Sequence, residues 1–371
     1  MKEIHLQIAR LRKSRGMTQQ ELGEKLNVSY QTVSKWENGV TLPDITMLPK
    51  LSSLFGVSVD GLLGLVLVDE EYRPTDTNQS EHWRDQGEKM QLRRGFDWNE
   101  DYMDFLVKTV WKISHPVRLL DCGCGTGFLG QLLLPLLPPE SSYTGVDFTE
   151  EMLTMAKRLF AQAGLQGRFI LSDIGEMNEH GAYDMVVSQA VLRHSCDGER
   201  LVQKMADLAA DGGLVVCIEC NREFEADGLY VEGMDYSALC RHEGLEALWK
   251  TEWELQGRDY AVAVKLPHML RRAGLCRVGV RMNDRVTYLA PDQEDYHRTL
   301  AQLTAAERWE TSENEAKKES LIRHFMNHGM DREQAEKYCG QQRAVSGYLR
   351  DHKESAALTR FGGMVISYGW K

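Results

Sequence analysis

The stretch LLDCGCGTGFLG at 119–130 limits the fold more than any other, because it reads as a strand, a glycine loop and the start of a helix. Two glycine patterns overlap in it. Gly125, Gly127 and Gly130 spell G-x-G-x-x-G, the loop that lets a backbone approach a pyrophosphate. Asp121, Gly123, Gly125 and Gly127 spell D-x-G-x-G-x-G. The first pattern needs its strand to end immediately before Gly125. Asp121, Gly123 and Cys124 would then lie inside the strand, where Asp and Gly fit poorly. A strand ending at Asp121 instead leaves three glycines in a loop, with a helix starting near Gly127. A carboxylate at the mouth of that loop opposes a pyrophosphate and suits a cation.

The alternation of strand and helix continues downstream, as in a doubly wound α/β sheet. Strand signals cover 143–147 and 168–173, ending in Asp147 and Asp173, and then 183–188 and 213–219. Thr149 is expected to cap the helix EEMLTMAKRLFAQAG. The Asp147 carboxylate can accept two ribose hydroxyls, and Asp173 suits an adenine amino group. With LLDCGCGTG, YTGVD, LSDI and YDMVVSQAVLRH in order and spacing, residues 96–290 resemble the class I methyltransferases of the small-molecule type, which use S-adenosylmethionine (SAM). The resemblance implies a Rossmann-like fold with SAM as cofactor. Asp121, Gly123, Gly125 and Gly127 would hold its methionine part, Asp147 and Phe148 its ribose, and Asp173 and Ile174 its adenine. Gln189 would lie beside the methyl donor. In the family a segment before the first strand folds over the cofactor, so Trp98 and Tyr102 are candidates to cover it; structural packing accounts for them equally. The family's last strand is antiparallel, and 361–371 has the composition for it.

Two segments fall outside that core. Residues 222–256 read as a helical lid rich in Tyr and Trp, and 291–360 as a charged helical insertion before the final strand. Both belong on the carboxyl edge of the sheet, where substrate loops sit. Trp253 and Tyr260 are candidate substrate residues, although aromatics between helices also serve as core. His194 is the candidate general base, and Arg193 can hold an anionic acceptor. No Asp/Asn-Pro-Pro-aromatic or Pro-Cys motif follows the fourth strand, so DNA is rejected as the methyl acceptor.

Ahead of a polar linker at 67–95, the first 66 residues read as five short helices. Thr18-Gln-Gln-Glu21 is a capping box, Asn27-Val28 a turn, Ser29 a cap and Asn38-Gly39 a stop. Further signals are a stop at Gly16 and a short helix after Ser58. MTQQELGEKLNVSYQTVSKWENGVTLPD resembles the lambda-repressor/Cro (XRE) helix-turn-helix family, with Gly23 where the family usually has alanine. That resemblance implies double-stranded DNA as partner of residues 1–66, with Ser29, Tyr30, Gln31, Thr32 and Lys35 facing the major groove and Gln19 on a phosphate. A homodimer on a palindrome is the expected geometry. Charge agrees: residues 1–65 hold eight Lys/Arg against six Asp/Glu, a net +2, which leaves −13 for the remainder.

The expected architecture is therefore multidomain, an all-α helix-turn-helix domain followed by a doubly wound α/β domain with helical lid insertions. Cys217 and Cys220 form a lone C-x-x-C at the end of an apolar run and read as packing, so no metal is expected. No apolar run approaches membrane length, and the expected compartment is the cytoplasm. Two functions remain open on the sequence. One is a small-molecule methyltransferase tethered or autoregulated through DNA. The other is a transcriptional regulator whose methyltransferase-like domain senses SAM or an effector without catalysis.

Overall fold

A computed structural model describes residues 6–14, 17–55, 59–63, 87–221, 228–239, 244–307 and 315–371. The chain divides into two units, residues 1–73 and 74–371. The expected stop at Gly16, the start at Ser58, the linker as far as residue 86, and residues 222–227 and 240–243 of the lid lie outside the described residues.

The first unit consists of α1 (Ile8–Ser14), α2 (Gln19–Leu26), α3 (Tyr30–Glu37), α4 (Leu48–Phe55) and α5 (Val59–Leu62). The capping box forms: Thr18 accepts the Glu21 amide, and the Glu21 carboxylate accepts the Thr18 amide at 2.6 Å. Asn27 ends α2 in the left-handed region at φ 54°, and the Ser29 hydroxyl accepts the Thr32 amide at 3.2 Å to open α3. Gly23 sits where these two helices meet. A Cβ there would lie 2.7 Å from the Val28 carbonyl oxygen, so the family's alanine does not fit this turn. Leu11, Leu22, Leu26, Val33 and Trp36 close the core. Arg12 ties α1 to α3 by a two-pronged ion pair to Glu37, at 2.6 and 2.9 Å.

The second unit is built on a seven-stranded sheet. Its strands are β1 (Arg118–Cys122), β2 (Ser142–Asp147), β3 (Arg168–Leu171), β4 (Tyr183–Gln189), β5 (Ala209–Cys220), β7 (Cys276–Met282) and β10 (Met364–Trp370), in the order β3-β2-β1-β4-β5-β10-β7. Neighbours from β3 to β5 pair in parallel, and β10 runs antiparallel between β5 and β7. Strand periodicity sends Leu119, Met185, Val187, Ile218 and Ile366 to one face. Leu120, Cys122, Val186, Val215 and Cys217 go to the other, against the helices Gly198–Leu208 and Val262–Arg272. Helices thus cover both faces, as the doubly wound reading requires.

Several local expectations change. β3 ends at Leu171, and Asp173 instead caps a short 3-10 turn, accepting the Gly175 amide at 2.7 Å. Thr149 occupies the cap position of the helix Glu150–Gln162, but its side chain makes no capping bond. The two insertions are not purely helical. β6 (Leu229–Val231) in the first and β9 (Leu358–Phe361) at the end of the second pair with β8 (Val286–Leu289), just ahead of the second, in an antiparallel sheet of order β6-β9-β8. Val231, Leu289 and Leu358 join Leu300, Leu303 and Leu349 in a separate core beside it. Within the expected linker, Gly87–Arg94 is a helix, α6.

Candidate active site

The glycine loop leaves β1 with Gly123, Gly125 and Gly127 at φ 68°, 53° and 74°, all in the left-handed region that favours glycine. Gly127 caps the helix Phe128–Leu133, as the spacing requires. Gly130, the residue that completed the competing G-x-G-x-x-G pattern, serves packing: a Cβ there would run into the Tyr143 ring. Asp147 straps the loop from β2. One of its oxygens accepts the Gly125 amide and the other the Thr149 amide, both at 2.9 Å. Each oxygen retains a lone pair for a further donor.

Asp121 is buried at the mouth of the loop and accepts the Tyr143 hydroxyl at 2.9 Å. Burial pushes its carboxyl up to about 7, opposed by the Tyr143 hydrogen bond and by Arg94, and reinforced by Asp147. Burial also raises Asp147, against its backbone hydrogen bonds.

Helix α6 covers the loop. Gln91 donates to Thr126 Oγ1 at 2.8 Å, and a side chain at Gly125 would meet Met90 Cε at 3.4 Å and Arg94 Nη2 at 3.7 Å. Arg94 is 9% exposed, with its guanidinium carbon 5.6 Å from the centre of the Phe128 ring. It makes no hydrogen bond or ion pair among the described residues. Burial lowers its pKa, opposed first by Asp121. A buried arginine left without a hydrogen-bonding anion is costly, so this geometry favours a ligand carrying one. Arg94 was not legible beforehand, because GEKMQLRR has no apolar stripe and reads as linker.

The other expected residues divide. Gln189 is buried on the face that carries Asp121, with its amide nitrogen 3.8 Å from Met364 Sδ and its oxygen unpartnered among the described residues. Trp98 packs into the core of that same face. Tyr102 does not cover the cradle: its hydroxyl donates to the Met282 carbonyl on β7, beyond β4, β5 and β10 from β1. Phe148 is half-buried, and Ile174 points into the opposite core. The ring nitrogen Nε2 of His194 accepts from Arg193 Nε at 3.2 Å, which occupies the lone pair a base would use. Arg193 keeps Nη1 enclosed and unpartnered among the described residues. Trp253 is about half exposed, with Lys265 Nζ 4.9 Å from its ring centre. Tyr260 stacks with Trp249 and has Arg258 4.8 Å from its ring centre, and Arg258 also pairs with the buried Glu252 at 2.9 Å.

In the first unit Tyr30, Gln31 and Lys35 are exposed along α3, and Thr32 is half-buried against Ser29. Gln19 donates to Glu37 at 2.7 Å, so its amide is held within the fold rather than extended for a phosphate.

An acid-mouthed glycine loop at the carboxyl edge of a doubly wound sheet defines a SAM-type α/β unit. Residues 113–274 match the family model described as a methyltransferase domain, and residues 8–62 match that described as helix-turn-helix. The chain thus carries a helix-turn-helix domain followed by a methyltransferase domain. Among curated relatives, the ubiquinone biosynthesis O-methyltransferase of Xanthomonas euvesicatoria pv. vesicatoria (strain 85-10) is 26% identical over 160 residues, 43% of this chain and 62% of that protein. The enzyme of the same name from Caulobacter sp. (strain K31) is 30% identical over 122 residues, 32% of this chain and 47% of that protein. The chain therefore spans about half to two thirds of the length of these relatives. Similar solved structures include the [4+2]-cyclase SpnF, with a TM-score of 0.41 and 16% identity over 81% of this chain and 97% of that one. A phosphoethanolamine N-methyltransferase 2 of Haemonchus contortus has a TM-score of 0.43 and 14% identity over 80% of this chain and 58% of that one.

The cofactor of the methyltransferase class is SAM, and the cradle suits its charges. Asp121 and Asp147 are buried acids, which suit a sulfonium or an ammonium, and Arg94 is a cation with no hydrogen-bonding anion among the described residues, which suits a carboxylate.

Proposed function

We propose that this protein transfers the methyl group of SAM to a small-molecule acceptor, and that its helix-turn-helix domain addresses it to DNA. The observation that carries this reading is the grouping of Asp121, Asp147 and Arg94, which has no hydrogen-bond partner among the described residues, around one glycine loop. When bound, SAM supplies a methyl group already activated on a sulfonium. The chain's part is then alignment and exclusion of water more than proton chemistry.

Asp121 would take the ammonium, Arg94 the carboxylate and Asp147 the ribose hydroxyls. Gly123 and Gly125 would let the backbone come close. Asp173 would meet the adenine edge with the oxygen its own turn leaves free. Gln189 would line the wall facing the acceptor. Arg193 supports an anionic or strongly polar acceptor, and the relatives' name supports oxygen as the methylated atom. The net −13 outside residues 1–65 speaks against a nucleic acid in that site. Exposed Tyr30, Gln31 and Lys35 support major-groove binding, Gln31 being suited to adenine.

The test is calorimetry of SAM and of S-adenosylhomocysteine with the whole chain, followed by operator selection from random duplexes. Absence of binding to either ligand overturns the cofactor reading. Duplex binding unaffected by Gln31→Ala overturns the DNA reading.

A further inference from the structure

Glu219, near the end of β5, is fully buried and has no place in the cofactor reading above. Its Oε1 accepts two consecutive backbone amides, Val191 at 2.8 Å and Leu192 at 2.7 Å, from the turn that follows β4. Its Oε2 makes no hydrogen bond among the described residues. Burial raises its carboxyl to about 7, against Arg193 and the backbone hydrogen bonds. The turn it holds is unusual. Ala190 sits in the left-handed region at φ 57°, a conformation a β-carbon disfavours, so surrounding contacts must hold it in place. The Val191 side chain lies against the cofactor loop so closely that a Cβ on Gly123 would be 2.6 Å from Val191 Cγ2.

We infer that Glu219 is a positioning residue for the cofactor cradle: by clamping the amides of Val191 and Leu192 it seats Val191 against Gly123 and so fixes the loop that holds the methionine part of SAM. The inference rests on the reading of that loop as the SAM cradle. A carboxylate fits the task because one oxygen can accept both amides at the start of a short helical turn, and negative charge is favoured there. Without the clamp the buried Leu192 amide and the part-buried Val191 amide lose their acceptor, and the strained Ala190 has less to hold it. Glu219 acts through Val191, so its effect on the ligand has to pass through that contact.

The test is a double-substitution cycle on the full chain, with S-adenosylhomocysteine as the calorimetric probe and a melting curve on each variant. Glu219→Ala is expected to weaken binding about 10-fold, the scale of a lost charged hydrogen bond, and Val191→Ala about 5-fold. The double variant should bind within about 2-fold of Glu219→Ala alone, because the second change removes a contact already unseated. Glu219→Gln, which keeps an oxygen for both amides, should restore affinity to within about 3-fold of the parent. A purely structural role predicts independent losses, about 50-fold in the double variant, and that result overturns the inference. So does unchanged affinity in Glu219→Ala. If Glu219→Ala does not fold, Glu219→Asp replaces it in the same cycle with the same two outcomes. A parent chain that binds no S-adenosylhomocysteine overturns the cofactor reading and this inference together, whereas normal parent binding with additive variants overturns this inference alone.

Discussion

Arg94 and Asp121 are ionisable groups of opposite sign in one buried cradle, and each makes its own prediction. Arg94→Ala removes the only cation in electrostatic reach of both Asp121 and Asp147 among the described residues. It should weaken S-adenosylhomocysteine about 10- to 100-fold in calorimetry, the range of a buried charge-assisted hydrogen bond. An unchanged affinity would remove Arg94 from the site. Asp121 predicts a pH dependence. Its folded pKa of about 7 lies above the unfolded value, so the native state holds a proton that the unfolded state has lost. Stability of the free chain should then fall as pH rises from the ordinary carboxylate range towards 7. A cationic ligand reverses the preference, because it binds the carboxylate form. SAM affinity should therefore climb between pH 5.5 and about 7 and release a proton, with Asp121→Asn flattening the profile. Calorimetry in buffers of different ionisation enthalpy checks both signs.

At the scale of elements, glycines decide where helices and turns meet. Gly23→Ala would gain about 1 kcal/mol of helix propensity if the site were open. The Val28 carbonyl 2.7 Å from the new Cβ is backbone and cannot swing aside, so the substitution should lower the melting point of the helix-turn-helix unit. A raised melting point would show that the turn yields. Gly130→Ala drives a Cβ into the buried Tyr143 ring and should cost the methyltransferase domain about 1–3 kcal/mol, read by chemical denaturation. Such local features were legible in the sequence because their signals are local. Thr18, Asn27 and Ser29 act within four residues of themselves, and the D-x-G-x-G-x-G loop marks its own strand end. The small sheet was not legible, because its strands are three or four residues long and Leu229 pairs with Arg360 across most of the domain. β7 was missed for a related reason: it is an edge strand whose exposed arginines blur the apolar alternation. Tyr102 was misplaced because spacing from β1 cannot say which way its helix turns, and the hydroxyl found Met282 instead. Arg94 hid in a helix whose sequence, GEKMQLRR, shows no apolar face.

The whole molecule joins a helix-turn-helix segment, net +2 over residues 1–65, to an acidic methyltransferase segment, and no helix among the described residues is long and apolar enough to cross a membrane. Linkage sets what such a joining can do. SAM changes DNA affinity only if it binds the DNA-competent and incompetent states unequally, and DNA must then change SAM affinity by the same factor. Catalysis and regulation are therefore separable by experiment. The measurement that bears most directly on the central claim is transfer of labelled methyl from SAM into a small-molecule extract of the source cells by the purified full chain. The account predicts label in a discrete metabolite, strongly reduced with Arg94→Ala. Binding of SAM without any label transferred would contradict it and leave a SAM-sensing regulator in its place.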